Sequence, residues 1–236
     1  MLAITTGLTK AASSTVYTLL ISLLQQAGHD QTGWRGVTLA RLAATDGVAV
    51  SRTGFMSTDY LKAVRPALAA SGFDHWHAVK TNGGLVQKCR SLLDVELIKA
   101  IATFRDPGDA AASLLEHAER QVITGGPERA RLAHIITLRD AIDHVAERTR
   151  AAATWLRDPR VLKLDYALVK DRPAEAATRL GEYLGLVVSD PGAAGGGPQP
   201  GSARCGLFAA VASPDEAAYA AEKFAEYAGV VRDLQR

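Results

Sequence analysis

The sequence contains only two cysteines, Cys89 and Cys205, and they stand far apart in the chain. Neither belongs to a CxxC pair or to a cluster of cysteines and histidines. The sequence therefore indicates neither a disulfide framework nor a structural zinc site, and we predict no metal. Such sparse use of cysteine is typical of a reducing compartment, so we expect a cytoplasmic protein.

Long hydrophobic runs are also absent, since no segment reaches the roughly 18 apolar residues that a membrane-spanning helix requires. Residues 16–24 resemble the hydrophobic region of a signal peptide, but Thr18 and Ser22 interrupt them. The "QQAG" that follows is a poor cleavage site. We expect neither a membrane span nor export.

A strong excess of charge is lacking as well. The chain has 27 Lys and Arg against 25 Asp and Glu, a formal net charge of +2. This balance argues against a nucleic-acid binder that works by bulk counterion release, and against a long polyanionic substrate. With 236 residues, the chain fits a single domain over 1–236.

Apolar segments of two kinds alternate along the chain. Short runs predict strands at 2–8, 75–84, 96–104 and 161–166, and longer periodic segments predict helices at 14–27, 60–71, 106–120, 128–156, 173–186 and 215–227. This alternation predicts an α/β fold with a central parallel sheet flanked by helices on both faces. Glycine and proline in 190–206 predict a flexible loop without regular structure, either a linker or a mobile flap.

The segment "LTKAASST" lies between the first strand and the first helix. Backbone amides at a helix start attract anions, and Lys10 and the hydroxyl groups after it add donors. A Walker A loop instead places lysine after glycine and a magnesium-binding hydroxyl next to it. The order here favours a phosphate-type ligand that needs no magnesium. The alternative is a hydroxyl-rich cap of a buried helix.

A second motif, "RDPGDAAAS", follows the third predicted strand. Asp106 is expected as helix N-cap, with Pro107 in the first turn. Helical side chains tilt toward the N-terminus, so Ser113 and Arg105 are able to converge on a further phosphate. The alternative is a capped helix beside a surface arginine. Lys10, Lys80 and Arg105 all fall at strand ends, where ligands of parallel sheets collect.

These two motifs together resemble the sulfotransferases that use 3'-phosphoadenosine 5'-phosphosulfate (PAPS). That family carries K-x-G-[ST]-[ST] and R-[ND]-P-x-D-x-x-x-S, and this chain has "KAASS" at 10–14 and "RDPGDAAAS" at 105–113. Three further segments are similar and stand in the family's order: "VKTN" at 79–82, the segment at 161–186, and "SARCGLFAAVASPDE" at 202–216. The resemblance spans 2 to about 227, leaves 29–74 unmatched, and implies the P-loop-like sulfotransferase architecture.

The resemblance implies PAPS as the donor substrate, without a metal, and transfer of its sulfuryl group to a hydroxyl or amine of a small-molecule acceptor. Lys10 and Lys80 would stabilise the charge that develops during transfer. The residues implied to bind PAPS are Lys10, Ala11, Ala12, Ser13, Ser14, Thr15, Arg105, Ser113, Tyr166, Arg204 and Gly206.

The chain departs from the family pattern at three positions: Ala12 replaces the loop glycine, Ala167 a glutamate, and Asn82 the usual catalytic histidine. An amide accepts no proton at neutral pH, so Asn82 would only orient the acceptor or the sulfate. Candidates for another base are His117, Glu116 and Asp59. His75 and His77 are expected to point to the opposite strand face from Lys80.

Two other functions stay open. Ala12 and Asn82 are compatible with a non-catalytic protein that binds PAPS or its product, adenosine 3',5'-bisphosphate (PAP). A P-loop kinase fits less well because of the loop order. We expect the acceptor pocket to form from 29–74, the 128–156 helix and the glycine-rich loop, with Trp34, Phe55, Tyr60 and Trp76 as possible aromatic walls.

Overall fold

The structure is a computed structural model that describes residues 1–29, 31, 75–126, 128–194 and 205–235. The predicted helix at 60–71, the candidate base Asp59 and the candidate ligand Arg204 lie outside the described residues, as do the aromatic residues Trp34, Phe55 and Tyr60. The prediction of one domain over 1–236 stays a prediction.

Within the described residues, four parallel strands form the sheet: β1 Leu2–Gly7, β2 His77–Lys80, β3 Ile98–Phe104 and β4 Leu162–Asp165. Their order is β2, β1, β3, β4, with Leu2 opposite His77 on one side and Ile98 on the other. The predicted parallel sheet is confirmed. Apolar residues fill these strands because both faces of the sheet are covered.

Helices cover both faces, as predicted. Alternate strand residues point to opposite faces, so Leu2 and Ile4 belong to one apolar core and Ala3 to the other. The described helices are α1 Ser13–Gln26, α2 Gln87–Asp94, α3 Pro107–Thr124, α4 Arg129–Leu132, α5 Leu138–Leu156, α6 Tyr166–Asp171, α7 Pro173–Leu184, α8 Pro191–Ala194, α9 Leu207–Val211 and α10 Pro214–Leu234. Side chains of α1, α6 and α7 fill one core, and those of α2, α3, α5, α9 and α10 fill the other.

The long helix predicted over 128–156 is wrong, because the chain breaks between α4 and α5. Thr137 begins α5 with a capping box: its hydroxyl accepts the Asp140 N–H at 3.2 Å, and Asp140 accepts the Thr137 N–H at 2.8 Å. This reciprocal capping starts a new helix at Leu138 instead of continuing the previous one.

Three other predicted boundaries need correction. The second strand ends at Lys80 and not at 84, and the unpredicted α2 follows, burying Cys89 and Leu93. The fourth strand ends at Asp165, whose carboxylate caps α6 by accepting the Ala167 N–H at 2.7 Å. In the segment predicted to lack regular structure, residues 191–194 form α8, which begins with proline, a favourable first helical residue.

The chain connections diverge at the carboxyl ends of β1 and β3. These strands are neighbours, but α1 after β1 packs on one face of the sheet and α3 after β3 packs on the other. Chain connections that leave in opposite directions open a ligand-binding crevice between them. Arg105 directly follows β3, and Lys10 lies three residues after the end of β1, so both residues lie at this edge of the sheet.

The described helices include none with the length and hydropathy needed to cross a bilayer. Within the described ranges, no three His, Cys, Asp or Glu side chains are grouped so that they would hold a metal ion. Cys89 and Cys205 are both free thiols.

Candidate active site

The loop between β1 and α1 has an unusual backbone. Lys10 and Ala12 both adopt the left-handed conformation, with φ of 63° and 65°. This conformation costs a residue with a side chain about 1–2 kcal/mol, and glycine avoids the cost. Ala12 is also the N-cap of α1 and provides no side-chain acceptor for its amides. The alternative prediction of a hydroxyl-capped helix is therefore wrong for α1.

The end of β2 meets the start of α1. The Lys80 ammonium donates a hydrogen bond to the Ser14 hydroxyl at 2.5 Å, across 66 residues of sequence. Ser14 and Thr15 are exposed, whereas Ala11 and Ser13 are buried. Two strand-end lysines, Lys10 and Lys80, thus stand beside the exposed hydroxyl groups and amides of one helix start.

Arg105 connects three segments that are distant in sequence. Its side chain is buried, its Nη1 donates to the backbone oxygen of Lys10 at 3.3 Å, and its guanidinium carbon lies 4.2 Å from the centre of the Tyr166 ring. Tyr166 is buried as well, at the start of α6. The structure therefore brings together the loop after β1, the end of β3 and the start of α6.

The start of α3 has the predicted caps. Asp106 is the N-cap and accepts the Asp109 N–H at 2.9 Å, and Pro107 lies in the first turn. Ser113 is buried two turns into this helix. The cap holds the helix start at the carboxyl end of β3, next to Arg105.

Asp109 attaches a remote segment to the start of α3. Its two carboxylate oxygens accept the backbone N–H groups of Gly206 at 2.8 Å and Phe208 at 3.0 Å. Gly108 allows this contact, since a Cβ there would lie 2.8 Å from the Phe208 ring. Gly206 itself has a φ of 78°, which favours glycine. The predicted ligand Gly206 therefore lies at the site, and Arg204 falls outside the described residues.

The pKa values of both strand-end lysines are lowered from the ordinary lysine value. Burial is the main cause for each, and for Lys10 the positive charges of Arg120 and Arg105 add to it. Arg131 lowers the pKa of Lys80 further. Crowded, partly desolvated cations create a region of positive potential that a dianionic group would neutralise. The chemistry available here is the binding of a phosphate or sulfate group.

Asn82 and the strand histidines lie apart from each other. Asn82 is exposed, two residues beyond the end of β2. His77 is buried at the beginning of β2, opposite Leu2, and its ring centre lies 4.8 Å from that of His75. Burial, His75 and the chain's N-terminal amine lower the pKa of His77 to about 4. These histidines belong to the amino ends of the strands, opposite the candidate site.

His117 and Glu128 form a pair. The sequence predicted His117 as a candidate base but did not point to Glu128. The His117 Nε2 and a Glu128 carboxylate oxygen are 2.7 Å apart. α3 ends at Gly125, which has a φ of 64°, and the Gly126 N–H then donates to the Gln121 carbonyl at 2.9 Å. This reversal returns the chain to α3. In the sequence, the consecutive glycines Gly125 and Gly126 indicate a turn here, but they do not identify Glu128 as the partner of His117.

No protein-family model matches the chain, and no curated protein matches it. Among solved structures, retinol dehydratase with androsterone and the inactive cofactor PAP shares 12% identity and a TM-score of 0.53, covering 96% of this chain and 80% of that one. The same enzyme with retinol and PAP shares 14% identity at the same TM-score and coverage. A sulfotransferase from Mycobacterium avium shares 15% identity, with a TM-score of 0.48, over 96% of this chain and 75% of that one. The chain therefore has an α/β fold similar to that of retinol dehydratase.

Proposed function

We propose that this protein is a PAPS-dependent sulfotransferase, which transfers the sulfuryl group of PAPS to a hydroxyl or amine of a small-molecule acceptor. The contact of Arg105 with Lys10 and Tyr166 carries the proposal, because it joins three of the family-like segments at one crevice. The solved structures of similar fold, which contain PAP beside retinol or androsterone, support a nucleotide and a small hydroxylated acceptor. The sparse cysteine content supports a cytoplasmic location.

In this proposal the loop after β1 holds the 5' end of PAPS. The amides of Ala12 to Thr15 and the hydroxyl groups of Ser13, Ser14 and Thr15 donate hydrogen bonds to its oxygens. Ala11 only shapes the loop, because its own N–H donates to the Leu8 carbonyl at 3.0 Å. Arg105 and Ser113 hold the 3'-phosphate, with Gly206 and Arg204 closing over it. Tyr166 packs beside Arg105 at the adenine side.

Sulfuryl transfer needs an in-line arrangement of acceptor, sulfur and leaving oxygen, together with positive charge around the transferred group. Lys10 and Lys80 supply that charge, and Asn82 orients the acceptor or the sulfate. The negative charge of bound PAPS favours the protonated form of both lysines and so opposes the lowering of their pKa values by burial. These residues bind and polarise PAPS without requiring a metal ion.

Calorimetry with PAP tests the binding half of the proposal, with AMP as the comparison ligand. We expect PAP to bind at least ten times more tightly than AMP, since only PAP has a 3'-phosphate for Arg105 and Ser113. Equal affinities would overturn the proposal.

Transfer of labelled sulfate from PAPS to a panel of phenols, sugars and alcohols tests the catalytic half, and Lys10→Ala should abolish it. PAP binding without any transfer would favour the non-catalytic PAP-binding protein. Magnesium-dependent consumption of ATP with a small acceptor would favour a P-loop kinase.

A further inference from the structure

The site contains lysines to stabilise the transferred group, but Asn82 at the family's histidine position accepts no proton. A base must therefore come from another element. His77 and His75 are excluded by their place at the amino end of β2. Among the described residues predicted as candidates, this leaves the outer face of α3, where His117 lies one turn beyond Ser113.

His117 has a well-held partner. Glu128 lies 2.7 Å from His117 Nε2, its backbone N–H donates to the Gln121 side-chain oxygen at 3.1 Å, and Arg131 forms an ion pair with its other carboxylate oxygen. The His117 side chain is 24% exposed and that of Glu128 is 40% exposed. Neighbouring groups thus hold the pair in place, and both side chains remain partly accessible to a ligand.

The pair interacts with the two lysines of the proposed site. The negative charge of Glu128 raises the pKa of both Lys10 and Lys80, which follow neighbouring strands. His117 lies on α3, which starts directly after Arg105 and Asp106, and Arg105 donates to the Lys10 carbonyl. Arg131 pairs with Glu128, and the charges of Glu116, Arg105 and Arg120 act on Lys10.

We propose that His117 is the base that replaces the missing histidine, and that Glu128 is the residue that positions it. This inference rests on the proposed sulfotransferase function. Glu128 is kept ionised, since the His117 hydrogen bond and Arg131 lower its pKa. An ionised carboxylate at Nε2 fixes the tautomer with hydrogen on that nitrogen, which leaves the Nδ1 lone pair to accept a proton.

The reaction then balances as follows. The acceptor oxygen forms a bond to sulfur while the bond between sulfur and the bridging phosphate oxygen breaks, and its two electrons stay with PAP. The acceptor's hydroxyl proton moves to His117 Nδ1, and Glu128 stabilises the resulting imidazolium. The proton later passes to solvent. Products are the sulfate ester, PAP and one proton, and no oxidant or metal takes part.

The test compares His117→Gln and Glu128→Gln with the wild-type protein, using labelled PAPS and a series of substituted phenols from acidic to weakly acidic. Glutamine at 117 retains a donor for Glu128 but takes up no proton. We expect kcat/KM to fall about 100-fold or more for weakly acidic phenols. Acidic phenols, which lose their proton without help, should be affected far less.

Glu128→Gln should lower kcat/KM for weakly acidic phenols at least tenfold, mainly through kcat, because the imidazolium formed during transfer loses its stabilising charge. A purely structural role would lower the rates of acidic and weakly acidic phenols alike. Glu119→Gln is the matched control, since it removes one exposed carboxylate from the same helix. It should keep the wild-type rate and the wild-type dependence on phenol acidity.

Thermal unfolding and PAP calorimetry on each variant separate folding and donor binding from catalysis. If His117→Gln and Glu128→Gln retain the wild-type dependence on phenol acidity, the inference is overturned while the proposed function stands. If the wild-type protein binds PAP but transfers no sulfate to any acceptor, both are overturned.

Discussion

The guanidinium of Arg105 lies 4.2 Å from the centre of the Tyr166 ring, and both side chains are buried. The resemblance implies that Tyr166 binds PAPS, and in the structure its ring packs against the arginine expected to hold the 3'-phosphate. The stacking holds the planar guanidinium in place while its Nη1 donates to the Lys10 carbonyl. Arg105 is therefore oriented before any ligand binds.

Arg105→Lys should weaken PAP binding. Lysine keeps the charge but loses the planar donor group and the stacking on Tyr166. We expect a loss of affinity of about 10- to 100-fold, or about 1.4–2.8 kcal/mol, by calorimetry. Arg139→Lys is the matched control, because Arg139 makes the same kind of contact with Tyr219, at 4.8 Å, away from the site. Unchanged PAP affinity in Arg105→Lys would contradict the proposed phosphate contact.

Asp109→Asn should detach α9 from the start of α3. One carboxylate oxygen becomes an NH₂ group, which accepts no hydrogen bond, so the amide of either Gly206 or Phe208 loses its acceptor. We expect the free energy of unfolding to fall by about 1–3 kcal/mol in urea titrations, with weaker PAP binding. Asp215→Asn controls for the helix-dipole effect, since Asp215 is an exposed first-turn acid of α10. Equal losses of unfolding free energy in both variants would contradict a specific role for the hydrogen bonds of Asp109 with Gly206 and Phe208.

Ala12→Gly should relieve strain in the loop. Ala12 has a φ of 65°, which glycine adopts without penalty. After the added flexibility of the unfolded chain is subtracted, we expect a gain in unfolding free energy of up to about 1 kcal/mol. Ala11→Gly, at a buried neighbour without positive φ, should destabilise the protein instead. Thermal unfolding of both variants gives the answer, and destabilisation by Ala12→Gly would count against this backbone conformation.

PAP affinity should begin to decrease at a lower pH than it would if both lysines had the ordinary lysine pKa of 10.5. The protonated lysines bind the anion, so binding is strongest below their lowered pKa values and is lost as pH rises through them. Calorimetry over a pH series should show this decrease, and Lys10→Met and Lys80→Met should bind weakly with a flatter profile. Lys223→Met is the control, because hydrogen bonds with Tyr219 and Asp143 raise the pKa of this remote lysine. A flat wild-type profile up to the ordinary lysine pKa would disprove the assignment.

His77 should make the fold sensitive to mild acid. Its pKa is about 4 in the folded protein, below the ordinary histidine value of 6.5, so the unfolded chain takes up the proton first. This contribution to stability is complete above pH 6.5 and is lost as pH falls toward 4. Urea midpoints at several pH values should therefore decrease less in His77→Leu than in the wild type. His134→Leu, at an exposed site, should show the same decrease of the urea midpoint as the wild type. The same pH dependence of the midpoint in all three proteins would contradict a role of His77 in acid sensitivity.

Local patterns predicted most strands and helices because neighbouring residues decide them. The cap of α3 depends on Asp106 and Pro107 alone, and both were predicted. The break before α5 was missed although Thr137 and Asp140 form its capping box, because the apolar period continues across it. α2 was missed because the second strand was extended to 84, leaving too few residues for a convincing helical period.

The sequence predicted individual residues of the candidate site but not the contacts between them. Strand ends identified Lys10, Lys80 and Arg105, since parallel strands end at one edge of the sheet. Their contacts depend on side chains that meet across long stretches of sequence, such as Lys80 with Ser14 and Asp109 with Gly206. No local pattern encodes those distances.

The four described strands and the lysine-bearing loop after β1 were predictable from the sequence alone, because periodicity and turn residues act over a few positions. Only the tertiary structure placed Tyr166 against Arg105 and Glu128 against His117. The physical reason is that hydrogen bonds and stacking act at 3–5 Å in space, while the sheet and its crossovers decide which distant residues come that close.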